Sequence, residues 1–329
     1  MATESASARD WWRHQVERLR PKPAAIGPGG QSGPRIAVVT DSAAALPPQW
    51  VAQHSAGGAV TVVSMPVIIG EDVYSDDDAE LETHISLALA AGRAVRTSRP
   101  SPGQFDRVYQ AAADSGFDAV VSFHISKKLS GTLEAAELAA GRAGIPVHVL
   151  DSGTVGMAQG IGVQAAVVAA AAGANVEGVL AAARDASAAT TVFFYVPSLE
   201  QLRRGGRISM ASSWVGTVLD IKPLLGIRDG AVVPLEKVRS AAKAIARLEA
   251  LAAAEIGSRV PGRAQVSLHH FGNEHQAQSM GEALQADCPG LAAANLTRLP
   301  AVLAAHAGLG VLVVVVANTL TPPQAGPEA

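Results

Sequence analysis

The sequence contains little cysteine, little lysine and no long apolar run. Cys288 is its single cysteine, which excludes an internal disulfide framework and a metal site built from several thiolates. Six lysines stand beside 20 arginines, and the formal net charge is −3, so electrostatics give no reason to expect a nucleic acid as a partner. The longest apolar run near the C-terminus, GVLVVVVA, has the length of a buried strand, whereas a membrane-spanning helix needs roughly 20 residues.

The two ends of the chain differ from its middle. The first residues, MATESASARDWWRHQ, carry charges and no apolar segment, so they do not resemble a secretory signal. The stretch RLRPKPAAIGPGGQSGP is rich in proline and glycine, which is typical of a linker. We therefore expect residues 1–34 to form a flexible extension and residues 321–329 a tail. The composition is 48% hydrophobic and 17% charged, which predicts a soluble globular protein, and we expect it in the cytoplasm.

Between the two ends, strand-like and helix-like segments alternate. Apolar strands such as RIAVVT and DAVVSFHIS, each followed by a helical pattern, predict an α/β fold with largely parallel sheets. The length of 329 residues favours two domains, which we place at residues 35–187 and 188–320. The run LLGIRDGAVVPLEKV predicts a hairpin that turns at Asp229 and Gly230. The run AVTVVSMPVIIG predicts one long or broken strand, because Pro66 interrupts a β-ladder.

Hydroxyl side chains gather where strands end and helices begin. Ligands of open α/β sheets bind beyond the carboxyl ends of the strands, and free N–H groups at a helix start favour an anion. Thr97 and Ser98 lie in one such loop, RTSRPSPGQF, and Ser130 lies in another, ISKKLSGT. Each residue is either a cap or turn residue or a ligand of an anionic group. Ser130 as a nucleophile lacks support, because no G-x-S-x-G elbow surrounds it and the spacing of His124 does not make that histidine its base.

Three further residues suit a carboxylate or a phosphate. Arg207 follows a glycine break in LRRGGRIS, and Arg239 opens a helix after EKV, where a cation opposes the helix dipole unless an anion compensates it. His306 stands in the apolar segment AVLAAHAGLG and is either a ligand or a satisfied core histidine.

His269, His270 and His275 form a conceivable metal set, but solvated or core histidines are the favoured interpretation, and we predict no metal.

Long motifs resemble one known family. The motifs occur in the family's order, span roughly residues 35–317 and read RIAVVTDSAAALP, RTSRPSPGQF, ISKKLSGT, VLDSGTVGMAQG, LEQLRRGGRIS, WVGTVLDIKPLL, DGAVVPLEKVRS and AVLAAHAGLG. In these motifs the chain resembles the DegV family of bacterial fatty-acid-binding proteins, and within it the binding subunits of fatty acid kinase.

The resemblance implies a fold, a ligand and a partner. The fold is two α/β domains with the acyl chain buried in the interior and the head group at the crevice between the domains. The protein binds a long-chain fatty acid, presents the carboxylate to a separate kinase and carries the acyl-phosphate product, so it is not itself an enzyme and needs no cofactor besides the bound lipid. Transient contact with a membrane or an acyltransferase is compatible with this role. The implied head-group ligands are Thr97, Ser98, Ser130 and His306, while Arg207 and Arg239 serve the acyl-phosphate or the docking of the kinase.

Two other classes of function stay open at this point. One is an α/β hydrolytic or phosphotransfer enzyme that uses Ser130, which would need an activating base. The other is a lipid-responsive regulatory protein that signals through WWRHQVERL in the N-terminal extension.

Overall fold

The computed structural model describes residues 33–76, 78, 80–208, 221–289 and 291–320. The segment WWRHQVERL, the tail at 321–329 and the first part of WVGTVLDIKPLL lie outside these residues. The described strands are β1 (Ile36–Asp41), β2 (Val60–Val63), β3 (Val67–Ile69), β4 (Asp72–Tyr74), β5 (Val95–Thr97), β6 (Ala119–His124), β7 (Val147–Asp151), β8 (Thr191–Tyr195), β9 (Lys222–Arg228), β10 (Ala231–Val238), β11 (Ala264–Phe271), β12 (Leu291–Arg298) and β13 (Val311–Asn318).

The α-helices of the described residues lie between these strands, and local signals in the sequence explain several of their ends. They are α1 (Pro48–His54), α2 (Leu81–Ala90), α3 (Pro102–Asp114), α4 (Thr132–Ala140), α5 (Met157–Ala171), α6 (Val176–Ala188), α7 (Glu200–Arg204), α8 (Ala241–Gly257), α9 (Glu274–Asp287) and α10 (Ala301–Ala307). Ser101 and Gln104 form a capping box at the start of α3, and the side chain of Ser240 accepts a hydrogen bond from the N–H of Lys243 at the start of α8. Such caps satisfy N–H groups that a helix start leaves free.

The first half of the chain contains a parallel four-stranded sheet in the order β2-β1-β6-β7. All residues of β1 and β6 are buried, as expected for central parallel strands covered on both faces by helices. All four strands end at the same edge of the sheet because they run in the same direction. The loops that follow β2, β6 and β7 therefore lie at this edge, and they carry residues of the candidate site.

The second half of the chain contains a six-stranded sheet in the order β10-β9-β8-β13-β11-β12. The prediction of an α/β fold is confirmed, but the expectation of largely parallel sheets is wrong for this sheet. Four of its five strand pairs are antiparallel, and the pair of β11 with β12 is parallel. The predicted hairpin is confirmed as β9 and β10, and its turn residues have positive φ, 49° at Asp229 and 77° at Gly230. This conformation suits a two-residue turn of the primed type.

Pro66 divides the predicted strand at residues 60–69 between two different sheets. β2 joins the four-stranded sheet, while β3 pairs with β4 and β5 in an antiparallel sheet of three short strands. Val67 and Val95 of this small sheet share a buried hydrophobic cluster with Phe194 and Leu225 of the six-stranded sheet. The domain division near residue 187 stays a prediction. Among the described residues no helix is both long and apolar enough to cross a membrane.

Candidate functional site

A largely apolar cavity lies where the loops of the four-stranded sheet meet the six-stranded sheet and α10. It contains about 760 Å³ not occupied by protein atoms, and this volume includes space that is open to solvent. Sixteen of its 21 lining residues are apolar or glycine: Met65, Ile125, Leu129, Val155, Gly156, Val192, Phe194, Leu202, Ile227, Val232, Leu299, Val302, Leu303, Ala307, Val311 and Val313. The five polar residues are Thr97, Ser130, Arg207, His269 and His306. A wall of this composition suits a hydrocarbon with a single polar group.

Thr97 and His306 meet in the cavity wall although 209 residues separate them in sequence. Thr97 ends β5 and His306 lies in the last turn of α10, and a hydrogen bond of 2.8 Å joins Thr97 Oγ1 to His306 Nε2. Burial, together with the positive charge of Arg207, lowers the pKa of His306 from 6.5 to about 4. The imidazole is therefore neutral near pH 7, and a bound carboxylate would change this balance because a nearby anion favours the protonated ring.

Arg207 carries a positive charge to the same part of the wall. Its Nε donates to the carbonyl of Leu129 at 3.1 Å and its Nη1 donates to the carbonyl of Gly205 at 2.7 Å. These bonds fix the guanidinium between α7 and the turn before Ser130. A fixed guanidinium beside a neutral histidine is a suitable place for an anionic head group, since charge-assisted hydrogen bonds are stronger than neutral ones.

Ser130 is a buried residue of the wall and not the cap of the following helix. It is 8% exposed, and its Oγ lies 2.8 Å from Thr132 Oγ1. Helix α4 begins at Thr132 with Gly131 in the cap position. Among the described residues, the Ser130 hydroxyl therefore contacts another hydroxyl and not a base. This contact does not activate the serine as a nucleophile.

The structure does not bring the other two predicted residues to the cavity. Ser98 is exposed, and its Oγ donates to the neighbouring carbonyl of Arg99 at 3.2 Å. Arg239 is exposed at the end of the hairpin and is absent from the cavity wall. Thr97, Ser130, Arg207 and His306 do line the cavity, and the functional roles of all six residues stay predictions.

His269 is a residue of the wall that reasoning from the sequence did not select as a ligand. Its Nδ1 lies 2.7 Å from Thr297 Oγ1, and its Nε2 accepts a hydrogen bond from the N–H of Met157 at 3.2 Å. Burial, with a smaller effect of His270, lowers the pKa of His269 from 6.5 to about 4. The ring is therefore neutral and both nitrogens are engaged. The only signal in the sequence was its place near the end of an apolar strand, which core histidines share.

The conceivable metal set of His269, His270 and His275 does not form. His275 is exposed on α9, while both other histidines are buried in β11. In the part of the chain that the structure describes, no group of three or more His, Cys, Asp or Glu side chains is placed to hold a metal ion.

His124 belongs to a buried polar network beneath the loops of the cavity. Its Nδ1 lies 2.9 Å from Asp41 Oδ2, and its Nε2 lies 2.7 Å from Ser122 Oγ. Asp41 also accepts hydrogen bonds from the N–H groups of Ala43 and Ile125. His124 and Asp41 are fully buried, so the pair has a structural role. It holds the ends of β1 and β6 together, and Ile125 of the cavity wall follows directly.

Comparisons with known proteins identify the family. The profile described as "Uncharacterised protein, DegV family" matches residues 35–319. A DegV domain-containing protein of Streptomyces coelicolor is 40% identical over 284 residues, which are 86% of this chain and 98% of the relative.

Two solved structures have the same fold. A fatty-acid-binding DegV family protein from Thermus thermophilus is similar with a TM-score of 0.79 and 32% identity, over 87% of this chain and 100% of the other. DegV of Bacillus subtilis, a fatty-acid-binding protein, is similar with a TM-score of 0.77 and 28% identity, over 87% and 100% of the two chains. The chain therefore belongs to the DegV family.

Proposed function

We propose that this protein binds a long-chain fatty acid in the cavity and presents its carboxylate to a separate fatty acid kinase. The observation that carries the first part is the composition of the wall, which is apolar except for a few polar side chains. The fatty-acid-binding proteins of Thermus thermophilus and Bacillus subtilis, which share the fold, support the choice of a fatty acid.

The energetics agree with tight retention of a long acyl chain. Burial of roughly 14 methylenes is worth about 11 kcal/mol before other terms, at about 0.8 kcal/mol for each methylene. Ordering of the chain and loss of translational freedom reduce this figure. The head group adds hydrogen bonds from Thr97, Ser130 and His306, each worth about 1.5–3 kcal/mol when the acceptor is charged. Ser98 lies next to Thr97 and would approach the head group only through a rearrangement of its loop.

The arginines support the second part of the proposal. Arg207 lies beside the predicted head-group site, and an acyl-phosphate carries more negative charge than a carboxylate, so this guanidinium favours the phosphorylated product. Arg239 is exposed and is available to an acidic surface of the kinase, where a charge at the rim accelerates association.

Native mass spectrometry of the purified protein tests the first part directly. We expect a bound species with the mass of a fatty acid, which is released on denaturation. Thr97→Ala, Ser130→Ala and His306→Ala should each weaken the binding of oleic acid about tenfold or more, since a lost bond of 1.5 kcal/mol corresponds to roughly a factor of ten. Retention of full affinity by all three variants would contradict the assignment of the head group.

A hydrolytic or phosphotransfer enzyme that uses Ser130 is the weaker candidate, because Ser130 Oγ contacts Thr132 Oγ1. Turnover of a chromogenic ester that is lost in Ser130→Ala would revive it. A lipid-responsive regulatory role that uses residues 1–34 would be contradicted if their deletion left all cellular responses to fatty acid unchanged.

A further inference from the structure

The turn from Ser126 to Ser130 connects β6 to one wall of the cavity. The carbonyl of Ser126 accepts hydrogen bonds from the N–H groups of Leu129 at 2.9 Å and Ser130 at 3.1 Å. Leu129 and Ser130 both line the cavity. The position of this turn therefore determines where that side of the wall stands.

The tip of the β9–β10 hairpin is hydrogen-bonded to the same turn. Ser126 Oγ donates a hydrogen bond of 2.7 Å to the carbonyl of Gly230, and Ser126 is 1% exposed. A Cβ atom added at Gly230 would overlap Ser126 Oγ, so the close approach requires glycine. Ile227 and Val232 on either side of the hairpin turn line the cavity. The bond thus joins two segments of the wall that are far apart in sequence.

Neither partner of this bond touches the cavity itself. Ser126 and Gly230 are absent from its lining, although Ile125 directly before Ser126 and Val232 two residues after Gly230 belong to it. Arg207 adds a second connection to the turn through the carbonyl of Leu129. Two segments from the second half of the chain therefore converge on one short turn of the first half.

We propose that the contact between Ser126 and Gly230 is a clasp that sets the rate at which a fatty acid enters and leaves the cavity. The inference rests on the proposed function for its ligand. Separation of the hairpin tip from the turn moves Ile227 and Val232 away from Leu129 and Ser130, which opens the wall between them. Because the clasp does not touch the ligand, weakening it lowers the barrier in both directions and leaves the equilibrium affinity unchanged.

Stopped-flow measurements with the fluorescent fatty acid cis-parinaric acid test the clasp. In Ser126→Ala and Gly230→Ala we expect the association and dissociation rate constants to rise together by about twofold to tenfold, the range that one net hydrogen bond supplies, with an unchanged Kd. Ser130→Ala should instead raise Kd, mainly through faster dissociation. A rise of the dissociation rate alone in the clasp variants, or unchanged rates, would overturn the proposal.

Gly262→Ala is the matched control. Gly262 has φ of 74°, close to the 77° of Gly230, but an added Cβ there meets nothing within 4 Å. Both alanine variants therefore introduce the same backbone strain, and only Gly230→Ala disturbs the clasp. We expect wild-type rate constants for Gly262→Ala, and an equal acceleration in this variant would show that strain, and not the clasp, controls the rates.

Hydrogen exchange in the ligand-free protein tests the clasp independently of the proposed function, because the measurement needs no bound fatty acid. Ser126→Ala keeps the carbonyl that accepts from Leu129 and Ser130, but it also removes the hydroxyl that accepts from the N–H of Lys128 at 3.2 Å within the turn. Gly230→Ala leaves that hydroxyl in place and is therefore the deciding variant. If the clasp holds the turn, the amides of Leu129 and Ser130 exchange about twofold to tenfold faster in Ser126→Ala and Gly230→Ala than in Gly262→Ala. A wild-type protein that binds no cis-parinaric acid would contradict the proposed function, and unchanged exchange would then still overturn the clasp.

Discussion

The replacement of Gly205 by alanine should disturb the head-group site although it replaces none of the polar residues of the cavity wall. Gly205 follows α7 with φ of −75°, a conformation that alanine adopts freely. A Cβ atom at this position would overlap His306 Nδ1 and stand 3.2 Å from the carbonyl oxygen of Gln201. The backbone oxygen of Gln201 is held in α7 and moves little, so the imidazole of His306 must move instead. We therefore expect the ring of His306 to leave its hydrogen bond with Thr97.

The expected magnitudes follow from these contacts. Insertion of a methyl group into a packed site costs about 1–3 kcal/mol of unfolding free energy. If the displaced ring also loses its hydrogen bond to a bound carboxylate, binding weakens by about 1.5–3 kcal/mol. That loss corresponds to roughly tenfold to more than a hundredfold in Kd.

Urea denaturation and titration with oleic acid measure the two effects. Gly257→Ala serves as the control, because Gly257 ends α8 and an added Cβ there meets nothing within 4 Å. We expect this control to keep the Kd of the wild type and to gain at most about 1 kcal/mol of stability, because alanine favours a helix more than glycine does. If Gly205→Ala also behaves like the wild type in both assays, then the position of His306 does not depend on Gly205 and the head-group geometry is refuted.

Three further results are expected. Arg239→Ala should bind oleic acid normally but slow its phosphorylation by a cognate kinase, whereas equal loss of binding and phosphorylation would contradict a docking role. His269 has a pKa of about 4 in the fold and 6.5 in the unfolded chain, so the unfolded chain takes up the proton first as the pH falls. Up to about 3 kcal/mol of stability should therefore be lost between pH 6.5 and 4, a loss that urea titrations should find smaller in His269→Gln. Asp41→Ala leaves His124 without its buried partner and should cost about 3–5 kcal/mol in urea denaturation, so a loss below 1 kcal/mol would show that water or another group replaces the carboxylate.

The sequence determined the features of this protein that depend on short-range chemistry. Asp229 and Gly230 tolerate positive φ and predict the hairpin turn. The family motifs also contain Thr97, Ser130, Arg207 and His306, which all reach the cavity wall. These signals could be read from the chain because each acts on its own neighbours in sequence or belongs to a long motif.

Only the tertiary structure decided which strands pair and which polar side chains meet. Apart from the β9–β10 hairpin, which its turn residues predict, the antiparallel pairs of the six-stranded sheet join strands that are distant in sequence and had no local signal. Ser98 follows Thr97 directly, yet Thr97 bonds to His306 while Ser98 is exposed, because consecutive residues of an extended chain point to opposite sides. The same holds for His269, whose partners Met157 and Thr297 lie on α5 and β12, and for Ser126, whose partner Gly230 is 104 residues away. Contacts of this kind exist only after distant segments have packed together.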